Sequence, residues 1–315
     1  MTSIAFIIPY FGKWPIWFPA FLKSCESNPT IHWLFFTNCN IPLKYPPNVK
    51  FFEVQMEDMA TLFTDKIGTN VTIQHPVKFC DLKPTYGHVF EEYLKEFDFW
   101  GFCDIDIIWG DIRAFVSEEM LNNYDLISSR KKTISGHFTI LRNNEYNRML
   151  YKTGDYYKEL FQEIKYSWFD ENTFASIVLE KKRKGELNVW WDDYLVNHER
   201  DRDSHQEYYL DRWIFDDGKL FDLGINGKQK VEHMYLHFIN WKTTMLYSEV
   251  NHSVGSSNFY ISYIGIHNNQ HNELQKIVND FKNIFNGYYK KEWRRIFKKR
   301  VLKKADRLKR KLSLI

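Results

Sequence analysis

Cysteine is scarce in this chain of 315 residues: Cys25, Cys39, Cys80 and Cys103 stand far apart, and no Cys-x-x-Cys pair occurs. That spacing excludes a disulfide framework, and the four read as reduced thiols of a core in a reducing compartment. Long apolar runs are also missing, since nothing approaches the roughly 20 residues of a membrane span. Met1 to Pro9 has neither a basic leader nor a cleavage site and is expected to be a first strand, not a signal peptide. There is no internal repeat, and no low-complexity linker precedes the C-terminal tail.

What is there is aromatic and unevenly charged. With 44% hydrophobic and 18% aromatic residues the chain can bury a core, which excludes disorder, and its rings suit dense packing and sugar-stacking surfaces. Its length fits one large α/β domain or two small ones. The net charge of +3 hides an asymmetry. Residues 290–311 hold 13 Lys/Arg against two acids, Glu292 and Asp306, leaving 30 basic and 38 acidic residues elsewhere. An acidic body therefore carries a strongly basic tail.

The order of elements points to an open α/β sheet. Ile4 to Pro9, Ile31 to Thr37 and Val49 to Val54 read as strands, with a helix over Phe18 to Ser27 and another over Pro84 to Phe97. Strands alternating with helices indicate βαβ units. Further strands are expected over Tyr124 to Ser129, Ser135 to Leu141, Val231 to Phe238 and Phe259 to Ile266. Helices are expected over Ser117 to Asn123, Glu145 to Lys152 and Asn172 to Lys184, and through much of the last 45 residues. Asp216-Asp217-Gly218 reads as a hairpin turn.

One stretch carries chemistry. Phe99-Trp100-Gly101-Phe102-Cys103 is an apolar strand leading into Asp104-Ile105-Asp106. Acids at the end of a buried strand are unfavourable without a cation. In a strand, residues i and i+2 share a side, so Asp104 and Asp106 are expected to hold one hard cation together. Asp111 reads as a turn residue outside the site. Two later acid pairs compete for a reaction centre. Asp170-Glu171 opens a helix, where Asp170 equally reads as an N-cap. Asp192-Asp193 sits between Trp190-Trp191 and Tyr194, a composition suited to stacking a sugar.

The sequence Phe102-Cys103-Asp104-Ile105-Asp106 resembles the metal motif of GT-A glycosyltransferases, and residues 1–245 are similar to such a domain. The resemblance is to the GT8-like bacterial enzymes that build capsule, O-antigen and other surface polysaccharides. It implies transfer of a hexose from a nucleotide sugar, by default a UDP-sugar, with Mn²⁺ or Mg²⁺ as cofactor and a saccharide or lipid-linked acceptor. It makes Asp106 the main metal ligand and shares Asp104 between metal and ribose. Gly136-His137 falls where that branch lines the sugar pocket, and Asp170-Glu171 where it has a polar pair facing the sugar. His237 falls at its metal-binding histidine and Lys242 at its diphosphate lysine, although His237 to Lys242 is one residue shorter than in the family and lacks its glycine. Tyr10 and Asn38 follow the first two strands, where a base pocket would form, and Lys83 precedes the helix leading to the acid pair. Each of these three also reads as ordinary turn or loop chemistry.

The tail over 286–315 spaces Trp293, Ile296, Phe297, Val301, Leu308 and Leu312 near the helical repeat, with Lys and Arg between them. That pattern is expected of an amphipathic helix on an anionic membrane surface, placing the protein on the inner face of the cell membrane. Residues 246–285 then form a strand and helix extension. A solvated helix and a nucleic-acid tail are the competing readings, the second disfavoured by the acidic body. Two other functions stay open. A sugar nucleotidyltransferase needs a Gly-rich loop after the first strand, and Pro9-Tyr10-Phe11-Gly12-Lys13-Trp14 has one glycine. A non-catalytic carbohydrate-binding protein would leave the acid pair unexplained.

Overall fold

β1 (Ile4–Tyr10) is buried on both faces: Ala5 and Ile7 join one apolar cluster, and Ile4, Phe6 and Ile8 join another across the sheet. This is the position of a central strand covered on both sides. The structure, a computed structural model, describes residues 1–131, 133–191, 194, 208–225, 227–251 and 258–288, with 290, 293, 294, 297, 298 and 301 beyond them.

Around β1 the chain lays down β2 (Ile31–Thr37), β3 (Val49–Glu53), β4 (Phe99–Cys103), β5 (Ile107–Trp109), β6 (Leu126–Ser128), β7 (Phe138–Arg142) and β8 (Val189–Trp191). Seven of these eight form a sheet in the order β3-β2-β1-β4-β7-β6-β8. It is parallel from β3 to β4, and β7 runs antiparallel to both β4 and β6. The fold is thus mixed α/β, with helices such as Phe18–Glu26, Met56–Ile67 and Ala175–Arg183 flanking the sheet. β2 and β4 leave β1 on opposite sides, so the carboxyl ends of β1 and β4 border a topological switch point.

A second sheet follows, from β9 (Trp213–Asp216), β10 (Lys219–Asp222), β11 (Val231–His233), β13 (Tyr247–Ser248), β14 (Asn258–Ser262) and β15 (Gly265–His267), with β12 (Tyr235–His237) left out of it. The expected hairpin joins β9 to β10, with Asp217 at φ 46° and Gly218 at φ 81° as a primed turn requires. The strands come from both sides of residue 245, because β14 pairs with β9. Asp211 ties this sheet to the helix Glu273–Phe285 and the residues before it: its Oδ1 lies 3.0 Å from His267 Nε2 and 2.7 Å from His271 Nδ1, and Lys276 of the helix stands 3.5 Å from its Oδ2.

Three expected elements take other forms. Pro84 to Phe97 is not one helix. It breaks into short turns, of which only Tyr86–Val89 is α-helical. Gly87 lies so close to Trp100 that a Cβ there would stand 2.3 Å from the indole. The helix ends at Phe90, at φ −102° and ψ 21°, where the ring turns into the core against Phe36 and Phe63, and tertiary packing overrides the helical pattern. Val231 to Phe238 divides at Met234, with β11 in the second sheet and β12 pairing antiparallel with β5. The acid-tipped strand stops at Cys103, so Asp104 and Asp106 occupy a bend between β4 and β5.

Candidate functional site

Three bonds fix that bend. The Asp104 amide donates to His137 O (3.4 Å), the Trp17 indole to Ile105 O (3.0 Å) and the Phe238 amide to Asp106 O (3.0 Å). The register of β5 with β12 sets Ile107 opposite His237, which brings the imidazole beside Asp106. His237 Nε2 lies 3.3 Å from Asp106 Oδ2 and 3.8 Å from Asp104 Oδ2. The two carboxylates and His237 each offer a ligand atom within 4.8 Å of the other two. Two hard oxygen donors and one imidazole form a donor set that fits Mn²⁺ or Mg²⁺, with the nitrogen favouring Mn²⁺.

Two lysines complete the centre. Lys83 is buried and donates to Asp104 Oδ1 (2.6 Å) and Gly136 O (2.7 Å). Burial opposes its charge, yet Asp104, with Cys80 and Asp170 behind it, holds it well above the usual lysine range. Lys242 Nζ stands 2.8 Å from Asp106 Oδ2. Asp106 is 2% exposed. Burial pushes its carboxyl up, but His237 and Lys242 outweigh that and hold it well below the usual carboxylate range. The same pairing raises Lys242 against its own partial burial.

His137 stacks on His237, ring centroids 4.2 Å apart. Tyr235 Oη lies 3.0 Å from His137 Nε2 and donates to Ser129 Oγ (2.6 Å). Burial, then His237 and Arg130, push His137 far below an ordinary imidazole, so it serves as a neutral backing for His237. Gly136 begins the turn into β7. A Cβ there would stand 2.8 Å from Asp170 Oδ2 and 3.3 Å from Glu171 Oε1, so glycine is what admits that acid pair to the strand. Asp170 is buried, in a π-helical turn over Phe169–Phe174 that follows Trp168. It is one residue inside that turn and so is not its N-cap. Glu171 Oε1 meets Arg130 Nη1 at 3.4 Å.

These groups share one cavity of about 510 Å³. Tyr10 lines it with its ring stacked on Trp14 (5.1 Å). Asn38 is exposed and accepts from the Gly12 amide (2.9 Å), away from the lining. Asp192 and Asp193 lie outside the described residues. Asp111 caps Ile112–Phe115 by accepting from the Ala114 amide. The sequence reading passed over Arg130, Tyr166 and Trp168, all in the lining. The aromatic pair two and four residues before Asp170 was the available signal.

Across residues 6–270 the chain matches the model of a Family of unknown function (DUF6625). It belongs to that family. No curated protein matches it. Among solved structures the DUF6625 chain is similar to the galactosyltransferase LgtC in complex with donor and acceptor sugar analogs, at 12% identity and TM-score 0.35, covering 60% of this chain and 73% of that one. An active-site mutant of LgtC aligns at 11% identity and TM-score 0.38, covering 75% and 87%. The apo glycosyltransferase GlyE of Streptococcus pneumoniae TIGR4 aligns at 12% and 0.31, covering 60% and 45%. At such distances no residue role passes from them to this chain.

Proposed function

We propose that the protein is a metal-dependent glycosyltransferase of the GT-A type. It moves a hexose from a nucleotide sugar, with a UDP-sugar the expected donor, to a saccharide or lipid-linked acceptor in bacterial surface polysaccharide synthesis. The observation that carries this reading is the convergence of Asp104, Asp106 and His237 within 4.8 Å at the switch point, between two lysines. A carbohydrate-binding protein has no need of cation-balanced carboxylates there, one of them buried, and a nucleotidyltransferase would need a glycine loop after β1, where this chain has one glycine.

Asp106, His237 and Asp104 would hold Mn²⁺, or Mg²⁺ in its place. When bound, the ion supplies charge stabilisation to the departing diphosphate. Lys83 occupies one Asp104 oxygen and leaves the other for ion and ribose. Lys242, 45% exposed at its side chain, can leave Asp106 and place its charge on a phosphate. Asp170 and Glu171 face the reacting sugar, where a carboxylate serves as base or as a stabiliser of positive charge.

The anionic membrane surface belongs to the same proposal. The helix Glu273–Phe285 is built inside out. Asn279 and Asn283 point inward, where their amides donate to Tyr208 O (3.1 and 2.9 Å). Leu274, Ile277, Phe281, Ile284 and Phe285 are 50–92% exposed. The basic run beginning at Lys290 gives this apolar face its charge partner, anionic lipid. Among the described residues no helix is long and apolar enough to cross a membrane.

The test is a thermal-shift screen of nucleotide sugars with and without Mn²⁺. The expected result is a rise in melting temperature with a UDP-hexose that requires Mn²⁺ and disappears in Asp106→Ala. A response that ignores both metal and substitution sinks the metal assignment, and no response to any nucleotide sugar sinks the transferase.

A further inference from the structure

Four described non-glycine residues have positive φ: Asp155, Trp168, Asp211 and Asp217. Aspartate tolerates that region, but a bulky aromatic does so only under constraint. Trp168 sits at φ 55°, ψ 39°.

The constraint is visible. Asp81 accepts from the Ser167 amide (3.0 Å) and hydroxyl (3.0 Å) on one side of Trp168 and from the Phe169 amide (2.9 Å) on the other. Lys78 Nζ pairs with Asp81 (3.0 Å) and donates to Leu160 O (2.7 Å) and Lys165 O (3.0 Å). Lys78 and Asp81 are both 0% exposed. A buried ion pair is a poor device for stability alone. Here it grips the backbone on both sides of one strained residue.

The grip puts a large apolar ring at a wet edge. Trp168 lines the cavity and is still 44% exposed, with Tyr166 beside it at 4.7 Å between ring centroids. A turn needing only its backbone conformation would be met by glycine or asparagine. Strain held in place at a cavity rim is a mark of function.

We propose that Trp168, flanked by Tyr166, is the stacking platform for the acceptor saccharide, and that Lys78 and Asp81 are positioning residues that hold it there. The inference rests on the transferase reading above. The pyranose ring offers a face of C–H groups to an indole, and its hydroxyls can turn toward the polar cavity wall. The acceptor is favoured over the donor by depth. Asp106, which would hold the ion, and Lys83, which holds Asp104, form the buried floor, and Tyr10 closes β1 on the side proposed for the base. Trp168 is on the rim, two residues before Asp170, where the ligand that enters last would rest.

The experiment is ¹⁹F NMR on full-length protein labelled with 5-fluorotryptophan, the Trp168 signal being the one missing from Trp168→Phe. The probes are lactose, cellobiose and maltotriose, against UDP with Mn²⁺. The Trp168 signal is expected to move with at least one saccharide and to stay in place with UDP and Mn²⁺. Movement with UDP alone, or with none of the probes, overturns the platform. Calorimetry of UDP with Mn²⁺ runs in parallel: its absence in wild type defeats the transferase reading separately, whatever Trp168 does. Trp168→Ala should weaken saccharide binding about tenfold, as loss of a stacked ring does, and Trp168→Phe should restore most of it. Asp81→Asn should displace the Trp168 signal before any ligand is added. An undisturbed signal in that variant removes the positioning role. If Asp81→Asn does not fold, Ser167→Ala, which deletes a single bond to Asp81, is read for the same displacement.

Discussion

Lys83 Nζ stands 2.6 Å from Asp104 Oδ1, and in the proposed metal site that contact would leave Oδ2 as the oxygen that serves a cation. Oδ1 belongs to the lysine, while Oδ2 faces His237. Lys83→Met should therefore let Asp104 rotate. Mn²⁺ affinity, read by electron paramagnetic resonance titration, is expected to fall about tenfold, the usual scale for losing a residue that orients a ligand. Stability should drop by on the order of 2 kcal/mol, below the full value for a buried pair because Asp104 is partly exposed. Unchanged Mn²⁺ affinity would remove Lys83 from the site.

Lys242 would have the opposite effect on an ion bound there. Its ammonium balances Asp106 at 2.8 Å, so it competes with any cation arriving at that oxygen. Lys242→Met is expected to tighten Mn²⁺ binding in the absence of nucleotide by about threefold or more, as removal of a nearby like charge does. Donor turnover should fall by about a hundredfold, since the phosphates lose their point charge. If both affinity and turnover fall together, the lysine is a structural support of Asp106.

Gly136→Ala tests whether the acid pair acts where it stands. The added methyl would meet Asp170 Oδ2 at 2.8 Å and Glu171 Oε1 at 3.3 Å. Displacing both carboxylates by a fraction of an ångström should lower turnover about a hundredfold while leaving nucleotide and Mn²⁺ binding close to wild type. Loss of nucleotide binding instead would assign Gly136 to the donor pocket and free Asp170 from the reaction centre.

Ile277→Ser with Phe281→Ser addresses the exposed helix face. Both side chains are at least half exposed, so the melting temperature is expected to hold or rise slightly. Flotation with vesicles containing phosphatidylglycerol should lose most of the bound protein, because about 2–3 kcal/mol of apolar insertion is removed per large side chain. Vesicle binding that persists in this variant but vanishes on truncation after Phe285 would move the contact entirely to the basic tail.

Trp168→Gly separates strain from function. Glycine occupies the left-handed region without steric strain, which offsets its larger loss of chain entropy on folding, so the variant should melt close to wild type. It should still lose its response to saccharides. A clear fall in melting temperature would show that Trp168 is held for packing.

Residue type at strand ends was legible in the sequence, and geometry between distant segments was not. Asp104 and Asp106 could be named because carboxylates at the tip of an apolar strand are unusual, His237 and Lys242 only because they fall where the resembled family has its metal-binding histidine and diphosphate lysine; the structure brings all four together. The reason given for the acid pair was different, since the two share a site through a bend and not through strand alternation. The helix expected over Pro84 to Phe97 had a fair local pattern, and it breaks at Phe90, whose ring is buried among Phe36, Phe63 and Tyr86 from distant or neighbouring segments. Lys78 and Asp81 gave no signal at all. Their partners lie some eighty residues downstream, and a Lys-x-x-Asp spacing in a short helical turn looks like any surface pair.

The pairing of β5 with β12 has a consequence for how the protein comes into being. Asp106 and His237 are brought together by strands lying 130 residues apart in the chain, Ile107 against His237. On the ribosome the parallel half of the large sheet can close while the histidine is still unmade. A cation site there would thus be a late product of synthesis, and a chain stopped before β12 would own both carboxylates without His237. Once the ribbon forms, a metal ion held by Asp104, Asp106 and His237 would fasten the last-made half of the molecule to the first. Metal uptake should then be visible as slowed amide exchange along Tyr235–His237.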